Sequence, residues 1–159
     1  MREAIRLKYS QYDFKFAKTI LNTHFPNLLK EIKRAIGELK TPLGRNVRPT
    51  PSKVLEQIFE TKGWIRQQPV TPNHPHLLFD LKKDRVAVEI QLTDPSDCYN
   101  DFLKFLLAYN LEGIDVAVEI VYDDSIRGNN LPHISTVKNA LEVYRTIIPC
   151  PIWVIGLKE

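Results

Sequence analysis

The chain has 159 residues, which suits one domain, since domains most often run about 100–150 residues. Hydrophobic residues at 43% and charged residues at 26% exclude a disordered chain and a small scaffold that needs disulfide staples. A net charge of +3 permits binding to nucleic acid without demanding it.

Two cysteines, Cys98 and Cys150, show no C-x-x-C or Cys/His metal spacing and read as reduced thiols. The first ten residues alternate charged and apolar types and lack the apolar stretch of a signal peptide. No apolar run approaches the roughly 18 residues of a membrane helix. The expectation is a soluble cytoplasmic protein with no membrane partner.

In chain order, residues 13–22 read as a helix with Phe14, Ala17, Ile20 and Leu21 on one face. His24-Phe25-Pro26 interrupts it. Residues 27–39 carry a second helical stripe, Leu28, Leu29, Ile32, Ala35, Ile36 and Leu39. A loop with Pro42, Gly44, Arg45, Arg48 and Pro49 follows. Thr50-Pro51 then starts a helix, with a hydroxyl N-cap and proline at the first helical position, and Gly63 ends it. Residues 64–75 read as irregular. Residues 77–81 and 86–92 form a β-hairpin around a charged turn, Lys82-Lys83-Asp84-Arg85, which reads as solvated. A helix over 96–110, a strand over 115–122, a polar loop over 123–132, a helix over 134–147 and a strand over 151–157 complete the chain. The expected fold class is α/β, a mixed central sheet flanked by helices. The whole chain, 1–159, reads as one domain, with a helical N-terminal part at 1–50 and a core at 51–159.

Glu89 is the most pointed feature. It stands in a strand whose other face, Val86, Val88, Ile90 and Leu92, is apolar, and Gln91 follows on its own side because strand side chains repeat every second residue. The hairpin brings Asp80 toward that side. Two carboxylates converging from adjacent strands make a hard-oxygen site suited to Mg²⁺, with the Ile90 carbonyl as a further ligand and Gln91 to hold a water. Phosphodiester hydrolysis needs such a group. The same residues also fit a solvated strand end and a solvated strand face, and the pattern leaves both readings open. Glu119 repeats the motif (Val-Ala-Val-Glu-Ile at both places) without a polar partner two residues on, and reads as structural, an ion-pair partner. His24, His74, His76 and His133 have no metal spacing, and no nucleophile elbow or glycine-rich phosphate loop is present.

Asp80-Leu-Lys-Lys-Asp-Arg-Val-Ala-Val-Glu89-Ile-Gln91 resembles the catalytic hairpin of BglII-type type II restriction endonucleases, the branch of the PD-(D/E)xK superfamily in which glutamine replaces the terminal lysine. The segment Trp64-Ile-Arg-Gln-Gln-Pro, the strand near 116–122 and the final Asn139–Glu159 stretch are similar in order and character. No proline precedes Asp80; Phe79 does. The BglII-type enzymes continue past the last core strand into a DNA-embracing subdomain that has no counterpart in this sequence. The resemblance implies Asp80, Glu89 and Gln91 as catalytic residues, with Asp80, Glu89 and the Ile90 carbonyl toward Mg²⁺. It places Gln67 where that family has an amide that helps to close the free active site. It implies a homodimer acting on a specific, palindromic double-stranded DNA site. Thr93, Asp94, Ser96, Arg127, Asn129, Asn130, His133 and Ser135 are then candidate DNA readers, and Arg45 and Arg48 candidate phosphate contacts. The apolar faces at 27–39 and 96–110 are candidates for both core and interface. The residues leave two alternatives: a repair or junction nuclease of the same superfamily, and a non-catalytic DNA-binding α/β domain.

Overall fold

A computed structural model describes residues 8–159; the absence of a signal-peptide stretch, read over the first ten residues, falls largely outside them. The strands are β1 (Tyr9–Phe14), β2 (Ile65–Pro69), β3 (Leu78–Lys83), β4 (Val86–Ile90), β5 (Val116–Tyr122) and β6 (Ile152–Leu157). The helices are α1 (Ala17–His24), α2 (Pro26–Glu38), α3 (Pro51–Thr61), α4 (Cys98–Asn110, entered through a 3-10 turn at Pro95–Asp97) and α5 (Ile134–Val143). The six strands form one sheet in the order β1-β6-β5-β4-β3-β2.

The centre of this sheet is the parallel set β4, β5 and β6, with antiparallel strands on each side. Parallel strands are covered on both faces, which explains why Val-Ala-Val-Glu-Ile and Ile-Trp-Val-Ile-Gly-Leu are buried throughout. One face packs Val86, Val88, Ile90, Val118 and Trp153 against Leu21, Ile32, Leu55 and Phe59 of α1–α3. The other packs Ala87, Ala117, Val121 and Val154 against Phe102, Phe105, Val137 and Leu141 of α4 and α5. Each such fully buried large side chain contributes about 1.5–3 kcal/mol from burial. The mixed α/β sheet flanked by helices is the expected fold class.

Three expectations change. Residues 9–14 are a strand, not the start of a helix, so the first fifty residues are not purely helical. Lys15 and Phe16 at φ 54° and 61° turn the chain left-handed before α1. Phe14, which completes the apparent helical stripe, is buried on the α4/α5 face, whereas Ala17 and Leu21 are buried on the other. Residues 65–69, read as irregular, are the edge strand β2; exposure of its side chains removes the apolar alternation that marks a strand. The charged turn is not wholly solvated either. Lys83 Nζ reaches Glu31 Oε1 at 3.0 Å, and Glu31 also accepts from Trp64 Nε1 at 3.0 Å. Arg85 pairs with Asp115 at 2.9 Å. Elsewhere the readings stand within a few residues, including the cap on α3, where Thr50 Oγ1 accepts from Lys53 N at 3.3 Å.

Candidate active site

The hairpin does not stay closed. β3 and β4 pair through Leu81↔Val88, Lys82↔Ala87 and Lys83↔Val86. One residue further the ladder stops, and the Asp80 side chain fills the gap, its Oδ2 accepting from Ile90 N at 2.8 Å. On its other edge β4 remains paired with β5, where Gln91 N donates to Ile120 O at 2.9 Å. The N–H and C=O of one strand residue point to the same edge, so the Ile90 carbonyl faces the gap as well. The cause lies in β3: Phe79 is buried on the α4/α5 side and Leu81 on the other. Two residues apart should share a face; the exception falls at Asp80, where the pairing of β3 with β4 ends. On the neighbouring strand, Arg66↔Leu81 and Gln68↔Phe79 leave Gln67 opposite Asp80, at a left-handed φ of 54°. A non-glycine residue held there is strained, and such strain gathers at functional positions.

Glu89 is only 2% exposed. Its Oε1 accepts from Lys104 Nζ of α4 at 2.9 Å, and the same amine lies 3.7 Å from Asp101 Oδ1. Gln91 donates through Nε2 to Asp101 Oδ2 at 3.3 Å, and its Oε1 accepts from Thr93 Oγ1 at 3.1 Å. Register places Glu119 beside Glu89. Asp80, Glu89, Asp101 and Glu119 therefore form one group of carboxyls, with Lys104 as the ammonium paired into it.

The electrostatics follow from burial. Desolvation first, then the charges of Asp80 and Asp101, push the Glu89 carboxyl up to about 10, against the opposing pull of Lys104. Desolvation also raises Asp101. Glu119 is fully buried, and its carboxyl is raised well above the usual range, again first by desolvation and then by Asp101. Among the described residues neither Glu119 oxygen has a hydrogen-bond partner; a proton on Glu119 would let one of them bond the Asp101 carboxylate, the acid that raises it further. The ion-pair role expected for Glu119 is thus incorrect: its neighbour is another acid.

A cluster this acidic suits a divalent cation, which would discharge it. Among the described residues no three His, Cys, Asp or Glu side chains converge as a ready-made metal cage. Two carboxylates and a backbone carbonyl, with water completing the shell, match Mg²⁺, which keeps several waters and is bound through one or two carboxylates. The donor set fits that ion.

The other sequence candidates fall into two groups. Thr93, whose hydroxyl is bonded to Gln91, and Asp94 line a cleft with Arg45, Arg48 and Tyr122. Arg45 Nη2 donates to Asn130 O at 2.7 Å, joining that cleft to the loop that carries Arg127 and Asn129, both exposed. Others are occupied in holding the chain. Asp94 Oδ1 accepts from Ser96 N and Oγ at 2.9 and 2.7 Å. The His133 ring nitrogen lies 2.7 Å from Ile126 O. Ser135 N donates to Asp124 at 3.1 Å. His74 is bonded to Thr71. Sequence reasoning missed Asp101 and Lys104. Their signal was available: two charged residues three apart on a helix otherwise rich in Phe, Leu and Tyr.

A solved structure described as restriction endonuclease BglII complexed with a DNA 16-mer superposes with a TM-score of 0.81 at 22% identity, covering 96% of this chain and 77% of that one. A structure of free BglII gives 0.73 at 20% identity, covering 96% and 80%. A comparison with curated protein sequences finds no match. The sheet, its flanking helices and the split at Asp80 thus define a restriction-endonuclease fold. A sequence profile described as restriction endonuclease BglII/BglIII matches residues 9–157, nearly the full length, and the chain belongs to that family. It is a type II restriction endonuclease, a hydrolase of DNA phosphodiester bonds.

Proposed function

We propose that this enzyme cuts double-stranded DNA at a specific palindromic sequence, as a homodimer dependent on Mg²⁺, with Asp80, Glu89 and Gln91 as its catalytic residues. The observation that carries the assignment is the Asp80 carboxylate set into the β3–β4 split and bonded to Ile90 N–H at 2.8 Å, facing the buried Glu89. That bond uses Asp80 Oδ2, and Lys104 uses Glu89 Oε1. The second oxygen of each carboxylate and the Ile90 carbonyl would hold the cation. Bound there, it supplies neutralisation of the scissile phosphate's charge and activation of a water. Gln91 is fixed at both ends of its amide, by Asp101 and Thr93, and its oxygen is available to orient that water. Gln67, opposite Asp80, acts in closing the site when DNA is absent.

The cleft lined by Arg45, Arg48, Thr93 and Asp94 is joined to Gln91 through the Thr93 hydroxyl, which donates to Gln91 Oε1. Arg45 and Arg48 there meet phosphates, and Thr93 and Asp94, with Arg127, Asn129 and Asn130 across the Arg45 bridge, reach base edges. Ser96 and His133 act in the same interface by holding these loops in shape. The similar BglII structure was solved on DNA. Of the two helices considered for an interface, α2 turns Leu28, Leu29, Ile32, Ala35 and Ile36 into its own core. α4 leaves Tyr99 and Leu103 exposed, and Tyr144 and Ile147 beyond α5 join them in an apolar patch. Two-fold pairing through that patch would match a palindromic target. Among the described residues no helix is long and apolar enough to cross a membrane; Cys98 and Cys150 are free and buried, and we place the enzyme in the cytoplasm.

Plasmid digestion with Mg²⁺ tests the reading. Discrete fragments whose sequenced ends share one palindrome are expected. Cleavage confined to branched junctions would replace it with a structure-specific nuclease, and no cleavage of any DNA in Mg²⁺ or Mn²⁺ would overturn it.

A further inference from the structure

Gln91, the third residue of the proposed catalytic group, carries no charge. The positive charge in the cluster comes from elsewhere in the fold. Lys104 projects from the middle of α4, and its side chain is largely enclosed, 19% exposed. Its Nζ lies 2.9 Å from Glu89 Oε1 and 3.7 Å from Asp101 Oδ1. Asp101 in turn holds the Gln91 amide at 3.3 Å. A lysine carries a large side-chain entropy and resists desolvation, so enclosing one beside a carboxylate needs a fixed partner geometry. The pair has that: α4 is anchored by Cys98, Phe102, Phe105 and Ala108 in the core, and Glu89 by the fully buried strand β4.

We propose that Lys104 is a positioning residue of the cleavage reaction, supplying from α4 the fixed positive charge that the strand position Gln91 lacks. It holds Glu89 Oε1, so that Oε2 is the oxygen turned to the reacting centre. It also keeps a positive charge beside the place where negative charge builds on the phosphate. The inference rests on Asp80 and Glu89 being the catalytic pair. It differs from a purely structural ion pair in one consequence: a cation delivered to the same cluster from another residue should substitute for it. Gln91 is the place to deliver one, because its amide and Lys104 already meet at the same Asp101 carboxylate.

The experiment compares Lys104→Met, Lys104→Gln, Lys104→Arg and the double variant Lys104→Met/Gln91→Lys with the wild-type enzyme. Cleavage is read under single-turnover conditions, DNA affinity in Ca²⁺, and Mn²⁺ affinity in the absence of DNA. Lys104→Met and Lys104→Gln are expected to lower the cleavage rate by about 100-fold, the usual loss on removing one preorganised electrostatic partner. DNA affinity should stay within about threefold, because such a partner acts on the chemical step rather than on binding. Removing a cation next to Glu89 should tighten Mn²⁺ binding, by like-charge repulsion relieved. Lys104→Arg should keep part of the rate, and adding Gln91→Lys to Lys104→Met should restore at least about tenfold, as a charge returned to the same low-dielectric cluster would.

A wild-type rate in Lys104→Met would overturn the proposal. So would weakened Mn²⁺ binding with no rescue by Gln91→Lys, which would make the pair a prop for the metal ligands alone. Should Lys104→Met fail to fold, the contrast between Lys104→Arg and Lys104→Gln decides: equal rates overturn the inference. Asp80→Ala is run beside them. If it cleaves, the active-site assignment itself has failed; if it is inactive while Lys104→Met is normal, only the role of Lys104 has.

Discussion

Asp80 and Ile90 are joined by a hydrogen bond from backbone N–H to carboxylate, 2.8 Å long, where a strand-to-strand bond would otherwise stand. The side chain takes the place of the missing ladder. It keeps the split open and satisfies a buried donor at once, since an unpaired buried N–H costs about 1–3 kcal/mol.

Asp80→Ala is therefore expected to abolish cleavage, by at least about 1,000-fold, while leaving DNA binding measurable, since a preorganised charged group acts chiefly on the transition state. Asp80→Asn keeps an oxygen for Ile90 N–H and should melt closer to the wild type than Asp80→Ala does. Loss of DNA binding in step with cleavage, in gel-shift and single-turnover assays, would count against a catalytic role.

Glu119 gives a stability prediction with a definite sign. Its folded-state carboxyl is raised well above the ordinary value, chiefly by desolvation. Below the unfolded pKa of about 4.3 both states hold the proton. Above it only the folded state does, so stability falls as pH rises, by about 1.4 kcal/mol per pH unit for one proton. Glu89, pushed up to about 10, acts in the same direction. Glu119→Gln removes one of these protons and can donate an N–H to Asp101. Urea melts of the metal-free protein from pH 5 to 8 should show a shallower fall for the variant. An unchanged slope would mean that Glu119 is ionised in the fold.

The apolar patch predicts the oligomer. Leu103 and Ile147 are 62% and 61% exposed, and a charge placed at both should separate protomers paired there. Leu103→Glu/Ile147→Glu is expected to sediment as a monomer, with unchanged melting at low concentration, and to lose concerted cutting of both strands. A dimer that persists in the double variant would place the interface elsewhere.

Gly156 tests the packing of β6 against its neighbours. A Cβ there would meet Ser10 Oγ at 2.5 Å, Asp123 Cα at 3.0 Å and Asp123 N at 3.2 Å. The last two are backbone and cannot rotate away. Gly156→Ala should cost about 1–3 kcal/mol, the range for overpacking. It should disturb the Ser10–Asp123 bond, 2.5 Å in the native chain. Chemical denaturation reads the loss, and a stability equal to the wild type would show that the two strands can part freely.

Much of this molecule is written locally. Residues 86–90, 116–122 and 152–157 are apolar, many of them β-branched, at nearly every position, so burial on both faces follows from composition alone. The spacing of Asp80, Glu89 and Gln91 is also local, because a two-residue turn at Asp84-Arg85 sets which residues of β3 and β4 face each other. Other features depend on partners distant in the chain. β1 is a strand because β6, more than 130 residues away, offers it an open edge, as Tyr9↔Leu157 shows. β2 has no apolar alternation and is held by β3. The split at Asp80 opens where Phe79 and Leu81 are buried in different cores. Lys104 and Asp101 reach Glu89 because α4 packs across β5 on the sheet face that carries Glu89 and Glu119, and Glu119 meets Asp101 rather than a cation for the same reason. Local pattern determines what a residue prefers, whereas burial of charge depends on what the rest of the fold brings to its side.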